Sequence, residues 1–301
     1  TLNSVETCRE ERVRGASQRR RRSEGGVGMR VVSATLSTLA STRILASYEH
    51  SVYRSGGAEE GAPLLILHGL LGQARNFRSW AAALAPALKT PRRVFTLDMR
   101  NHGESFHHED MSYERMAEDV LRTMDSLGIE KAALLGHSMG GKVAMTCALK
   151  ERDRVERLCV FDMAPVPYST ADGSNWRQNR ELLTALRSLQ PKHLVDRRSA
   201  DRKLMQDVLD PNIRAFALSN LESSEDAGLT WKCNLDSLIS NIDSIAGWQY
   251  HQEADDAPLP DQPTYEGPTL FLAGGNSRYV RSIHIPLISK TFPRYVLETI
   301  P

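Results

Sequence analysis

Apolar residues follow two rhythms along the chain. A continuous apolar run at Pro63–Leu67, and mainly apolar stretches within Arg93–Asp98, Lys131–Gly136 and Arg157–Asp162, are the pattern of short strands buried in a sheet. Between them, apolar positions recur every three or four residues over Asn76–Leu88, Met111–Leu127 and Met139–Glu151, the period of helices with one face on a core. Strand and helix in alternation imply an α/β fold with a mostly parallel sheet and flanking helices. Near Pro165 the strand rhythm stops. Asn175–Leu189, Pro191–Leu209, Pro211–Leu221 and Leu235–Ile245 read as helices, with Trp176, Leu182, Leu183, Leu186 and Leu189 on one face. Strand spacing returns at Pro268–Ala273, followed by a helix over Ile283–Thr291 and a last strand, Arg294–Ile300. The expected organisation is a leader (1–43), a first part of the core (44–166), a helical cap insert (167–258) and a second part of the core (259–301).

Composition narrows the class. The chain has 301 residues, 41% hydrophobic and 25% charged, enough to bury a sizeable core. Its 38 Lys+Arg nearly balance 37 Asp+Glu, which argues against a dedicated nucleic-acid binder. No apolar run approaches the roughly 18 residues that a membrane span needs. Cys8, Cys147, Cys159 and Cys233 show neither CxxC nor ligand-like spacing, so neither a disulfide framework nor a zinc site is expected, and a reducing compartment is the default. The leader holds Arg19–Arg22, readable as a nuclear-localisation or nucleic-acid patch or as unfolded upstream sequence. After Met29 the composition shifts to Arg, Ser, Thr and small apolar residues, with no acid before Glu49. That is the make-up of a mitochondrial transit segment, with the cytoplasm as the alternative location if it is an ordinary N-terminal helix.

Two short motifs carry chemistry. Gly136-His137-Ser138-Met139-Gly140 lies between an apolar strand and an amphipathic helix. In that context a serine on a sharp turn is held out at the carboxyl end of the sheet and at the positive end of the next helix, as a nucleophile must be. His68-Gly69-Leu70-Leu71-Gly72 follows the first buried strand. Acyl transfer needs two N–H donors for its oxyanion, and the backbones of Leu70 and Met139 are the expected pair, with His68 and Gly69 beside them. No metal or organic cofactor is implied.

With those residues in view, the chain resembles the α/β-hydrolase family over about 44–301. The motifs Leu67–Gly72, Asp98–Ser105, Gly136–Lys142 and Gly274–Ser277 are together similar to the family of abhydrolase domain-containing protein eleven, mitochondrial serine hydrolases with small bacterial esterase relatives. The resemblance implies hydrolysis of acyl esters, diacylglycerol among them, and association with the lipoylated 2-oxoglutarate dehydrogenase complex. It also implies a triad acid in an Asn-Leu-Asp stretch, here Asp236, whereas position alone favours Asp162, which ends the strand beside that of Ser138. The chain order Ser, Asp, His places the base after the last strand. None of the nine histidines lies there, so the expectation is that the triad histidine and a closing helix lie beyond Pro301. Two rival readings stand beside the serine esterase: a binding or protective protein on the same fold, and another reaction of that scaffold, such as C–C hydrolysis or acyl transfer.

Overall fold

The strands stack where the hydrophobic pattern puts them, with two short additions at one edge. The computed structural model describes residues 30–31, 43–50, 61–169, 175–224, 228–250 and 263–301. The unexpected strands are β1 (Arg30–Val31) and β2 (Ser47–Glu49). The core continues through β3 (Leu64–Leu67), α1 (Arg78–Ala87), β4 (Val94–Leu97), α2 (Tyr113–Ser126), β5 (Ala132–His137), α3 (Met139–Lys150) and β6 (Val155–Phe161). The insert supplies α4 (Asn175–Ser188), α5 (Arg197–Leu204), α6 (Pro211–Leu218), the hairpin strands β7 (Leu221–Ser224) and β8 (Gly228–Trp231), α7 (Leu235–Ser240) and α8 (Ile242–Ala246). The core then closes with β9 (Thr269–Gly274), α9 (Ile285–Thr291) and β10 (Tyr295–Ile300).

The sheet runs β1-β2-β4-β3-β5-β6-β9-β10, antiparallel at β1/β2 and β2/β4 and parallel elsewhere. From β3 the chain crosses to β4 on one side and then returns to β5 on the other. That reversal opens a crevice at the carboxyl ends of β3 and β5, the place where open α/β sheets hold ligands. β3 shows why its run had to be apolar throughout. Leu65 and Leu67 join the core on the α2 and α3 side, while Leu64 and Ile66 pack with Ala81 and Ala85 of α1 on the other. Each such side chain contributes on the order of 1.5–3 kcal/mol by burial.

The insert departs from an all-helical expectation. The stretch from Pro191 to Leu209 is a 3-10 turn at Pro191–His193 followed by the short α5, whose start is fixed by Asp196 accepting from Ser199 N–H. The helix expected to reach Leu221 ends at Leu218, and Leu221 instead begins the β7/β8 hairpin. Leu235–Ile245 breaks into α7 and α8 at Asn241. The face of α4 is as expected: Trp176, Leu183, Leu186 and Leu189 are buried and Leu182 is half-buried. Cys147 and Cys233 are buried and Cys159 half-buried, all three thiols pushed up to about 12 by desolvation. Cys8, the Arg19–Arg22 run, His251 and most of the leader lie outside the described residues. Among the described residues no helix is long and apolar enough to cross a membrane.

Candidate active site

Ser138 sits at the turn between β5 and α3 with φ +53°, ψ −117°, a conformation that L residues rarely adopt. The surroundings hold it there. Its N–H donates to the Phe161 carbonyl at 3.0 Å, and its own carbonyl accepts from Gly141 at 2.9 Å. The two flanking glycines are required by space. A Cβ on Gly136 would stand 2.1 Å from the Gly140 carbonyl oxygen, and one on Gly140 would stand 2.4 Å from that of Leu67. Met139, buried, opens α3 with its backbone N–H among those a helix start leaves without an intrahelical acceptor.

The second expected donor lies on a tight turn after β3. Gly72 N–H donates to the Gly69 carbonyl at 2.9 Å, and Leu71 takes φ +59°. A Cβ on Gly69 would meet Ser138 Cβ at 3.1 Å, so this turn passes directly against the serine. Two neutral histidines hold the turn in place. His68 Nδ1–H donates to the Gly69 carbonyl at 2.8 Å, and its Nε2 accepts from Met99 N–H at 2.9 Å. His102 does the same one layer on, accepting from Leu71 N–H at 3.2 Å and donating to the Arg100 carbonyl at 2.9 Å. Their rings meet edge to face at 5.0 Å. Complete burial pushes His68 down to about 4 and His102 to about 3.

Ser138, His68, Gly69, Leu70, His137 and Asp162 line one cleft of about 360 Å³. Asp162 follows β6 with φ +52°, one residue beyond the pair His137/Phe161, so the β5/β6 register itself brings it beside Ser138. Its Oδ1 accepts from Gly274 N–H at 3.2 Å. Asp236 lies elsewhere. It stands on the first turn of α7 with its side chain 82% exposed, 3.5 Å from Arg187, and the cap of that helix is Asn234. His68 lines the cleft with both ring nitrogens engaged by backbone, which makes it a brace of the turn. His284, on the 3-10 turn before α9, is buried, its Nδ1 3.1 Å from the Tyr279 carbonyl oxygen and its ring on Tyr168.

Residues 62–301 match the family described as alpha/beta hydrolase fold. This chain belongs to the α/β hydrolase family. Within it, the chain is 40% identical over 243 residues to the sn-1-specific diacylglycerol lipase ABHD11 of Mus musculus, covering 79% of this chain and 73% of that protein. It is 30% identical over 233 residues to Esterase YbfF of Escherichia coli, covering 77% of this chain and 82% of the esterase. Among solved structures, a marine microorganism esterase superposes with a TM-score of 0.75 at 35% identity, covering 86% of this chain and 92% of that one. The α/β hydrolase cleft also contains residues that the motifs do not announce: Asn76 and Phe77 before α1, Asn179 of α4, Phe216 of α6 and Tyr279 after β9. Only a folded cap brings Asn179 and Phe216 there. Among the described residues no group of His, Cys, Asp and Glu is arranged to hold a metal ion.

Proposed function

We propose that Ser138 attacks the carbonyl carbon of a lipid acyl ester such as a diacylglycerol. In this reading the backbone N–H groups of Leu70 and Met139 hold the developing oxyanion. The chain is a carboxylic ester hydrolase of the α/β hydrolase superfamily, like its relatives named as lipases and esterases. The observation that supports the finer reading is the forced conformation of Ser138 against the Gly69–Gly72 turn. Asp162 is the acid of choice, because it shares the cleft while Asp236 faces solvent. The acid would orient a histidine that takes the serine proton and returns it to the leaving alcohol. His68 does not fill that place, since both of its nitrogens are occupied. The apolar walls Leu70, Phe77 and Phe216 suit an acyl chain.

An activated fluorophosphonate should label the wild-type chain, and Ser138→Ala should abolish both labelling and ester turnover. Equal labelling of the variant would remove Ser138 from the reading. The reading also places the protein in the mitochondrial matrix, on the acid-free composition after Met29. A reporter fused behind residues 29–47 should enter mitochondria, and a diffuse cytosolic signal would sink that part. Association with the 2-oxoglutarate dehydrogenase complex rests on the family resemblance. Recovery of that complex with the tagged protein tests it.

A further inference from the structure

Five of the nine large apolar side chains exposed among the described residues come from one stretch of the cap: Val195, Met205, Leu209, Ile213 and Phe216. Three of them form a line. Leu209, Ile213 and Phe216 stand at i, i+4 and i+7, on one side of α6 and the residues leading into it. The other side of the helix is buried through Arg214, Ala217 and Leu218. Leu209 is 83% exposed at the outer end of this ridge, and Phe216 at its inner end lines the cleft of Ser138. An apolar path therefore runs from open solvent to the reacting serine.

The charge beside it has a sign. Between Lys192 and Arg214 six Lys and Arg residues face four acids, a local excess of two, against a net +1 over all 301 residues. Three of the four acids are already engaged. Asp196 and Asp210 cap α5 and α6, and Asp201 pairs with Arg214 at 2.7 Å. Arg197, Arg198, Arg202 and Lys203 of α5 are exposed, and the three arginines line a groove with Pro211 and Ala215 on the flank of α6 beside the ridge. Apolar side chains flanked by cations are the composition of an interfacial surface that meets anionic headgroups.

We propose that the ridge Leu209–Ile213–Phe216, with the cations of α5, docks the cap on an anionic bilayer and leads a lipid ester from it to Ser138. This rests on the lipid-ester reading above. Leu209 and Ile213 enter the headgroup–acyl boundary, the α5 cations meet lipid phosphates, and Phe216 forms the inner wall of the route.

Flotation with phosphatidylcholine vesicles containing phosphatidylglycerol, alongside turnover of a water-soluble short-chain ester, tests the proposal. Wild type should float with the vesicles. Leu209→Asp/Ile213→Asp should bind at least tenfold more weakly while turning over the soluble ester within twofold of wild type and keeping a cooperative thermal transition. Arg198→Glu/Arg202→Glu should lose binding to the anionic vesicles, and wild type should bind pure phosphatidylcholine more weakly than the mixture. Equal flotation of wild type and the Leu209/Ile213 variant, or no flotation of wild type, overturns the proposal. So does a wild-type dimer that the same substitutions split without any vesicle binding, since the ridge would then face a second copy. Failure of the wild type to cleave the soluble ester would strike the ester reading alone, because flotation reports on the surface without turnover.

Discussion

The ammonium of Lys142 lies 2.7 Å from the carbonyl oxygen of Ala246, joining the nucleophile helix to the end of the cap. The same Nζ donates to the Gly247 carbonyl at 2.5 Å and sits 4.7 Å from the centre of the Tyr168 ring. Tyr168 in turn donates its N–H to Ala246 at 2.9 Å and its hydroxyl to the Tyr279 carbonyl at 2.7 Å. Both roots of the insert, near Tyr168 and near Gly247, therefore meet on one buried side chain of α3. Burial holds the Lys142 ammonium well below the usual lysine range, and the carbonyls at the end of α8 are what stabilise its charge.

Lys142→Met should accordingly destabilise the fold by about 1–3 kcal/mol. The apolar stem is kept, but the Gly247 carbonyl loses its donor. Urea denaturation should show a lower midpoint with an unchanged slope. A midpoint equal to wild type would mean that the Lys142 contacts contribute nothing net.

The strands and the nucleophile turn were legible in the sequence because their signals are local. An unbroken apolar run such as Leu64–Leu67 can be read without knowing its neighbours, and the glycines around Ser138 reflect a clash within the same turn. What the pattern did not reveal depends on distant partners. β2 is a strand because its backbone pairs with β4, and its sequence, Ser-Tyr-Glu, has no apolar run to announce it. His68 and His102 are thirty-four positions apart, and only the fold brings their rings together as paired braces. The same applies to Phe216 and Tyr279, which reach the cleft from the cap and from the loop after β9. The insert departs from its pattern at Pro191–His193, where a 3-10 turn precedes α5, and at Asn241, because apolar spacing continues across both breaks.

Those histidines make stability depend on pH. Both fold with pKa values depressed from the ordinary 6.5, His68 to about 4 and His102 to about 3. In that window the unfolded chain binds protons that the folded one refuses, so stability rises with pH. Their contribution is fully present above about 6.5 and is lost as pH falls toward 4 and 3. Denaturation midpoints at pH 7.5, 6, 5 and 4.5 should fall progressively, by up to about 1.4 kcal/mol per pH unit for each histidine. His102→Asn should flatten the dependence by one proton. An unchanged slope in that variant would show that His102 is not held neutral.

Gly140→Ala tests the close approach of α3 to β3. The added methyl would meet the backbone oxygens of Leu67 and His68 at 2.4 and 2.5 Å, neither of which can turn aside as a side chain would. The whole nucleophile turn must shift, at a cost of about 3 kcal/mol or more. Loss of fluorophosphonate labelling together with a lowered thermal midpoint is the expected result. Wild-type stability and labelling would mean that the turn relaxes more easily than its packing suggests.

Asp162 and Asp236 provide the sharpest test of the site. Asparagine at 162 keeps the shape and an oxygen for the Gly274 N–H, but it removes the negative charge beside Ser138. That charge is what would stabilise an imidazolium formed as the serine loses its proton. Where a histidine serves Ser138 as base, Asp162→Asn should therefore lower kcat by on the order of 10³–10⁴ while KM for a short-chain ester stays within a few-fold. Asp236→Asn loses only an exposed pairing with Arg187, an interaction of the kind that contributes on the order of 0–1 kcal/mol, and should leave kcat within twofold. Both variants should be measured with their thermal transitions, so that a slow enzyme is not mistaken for an unfolded one. The opposite result, a slow Asp236→Asn and a normal Asp162→Asn, would move the acid into the cap. The cap would then have to turn Asp236 inward over Ser138 during turnover, and the register of β5 and β6 would no longer explain the choice of acid.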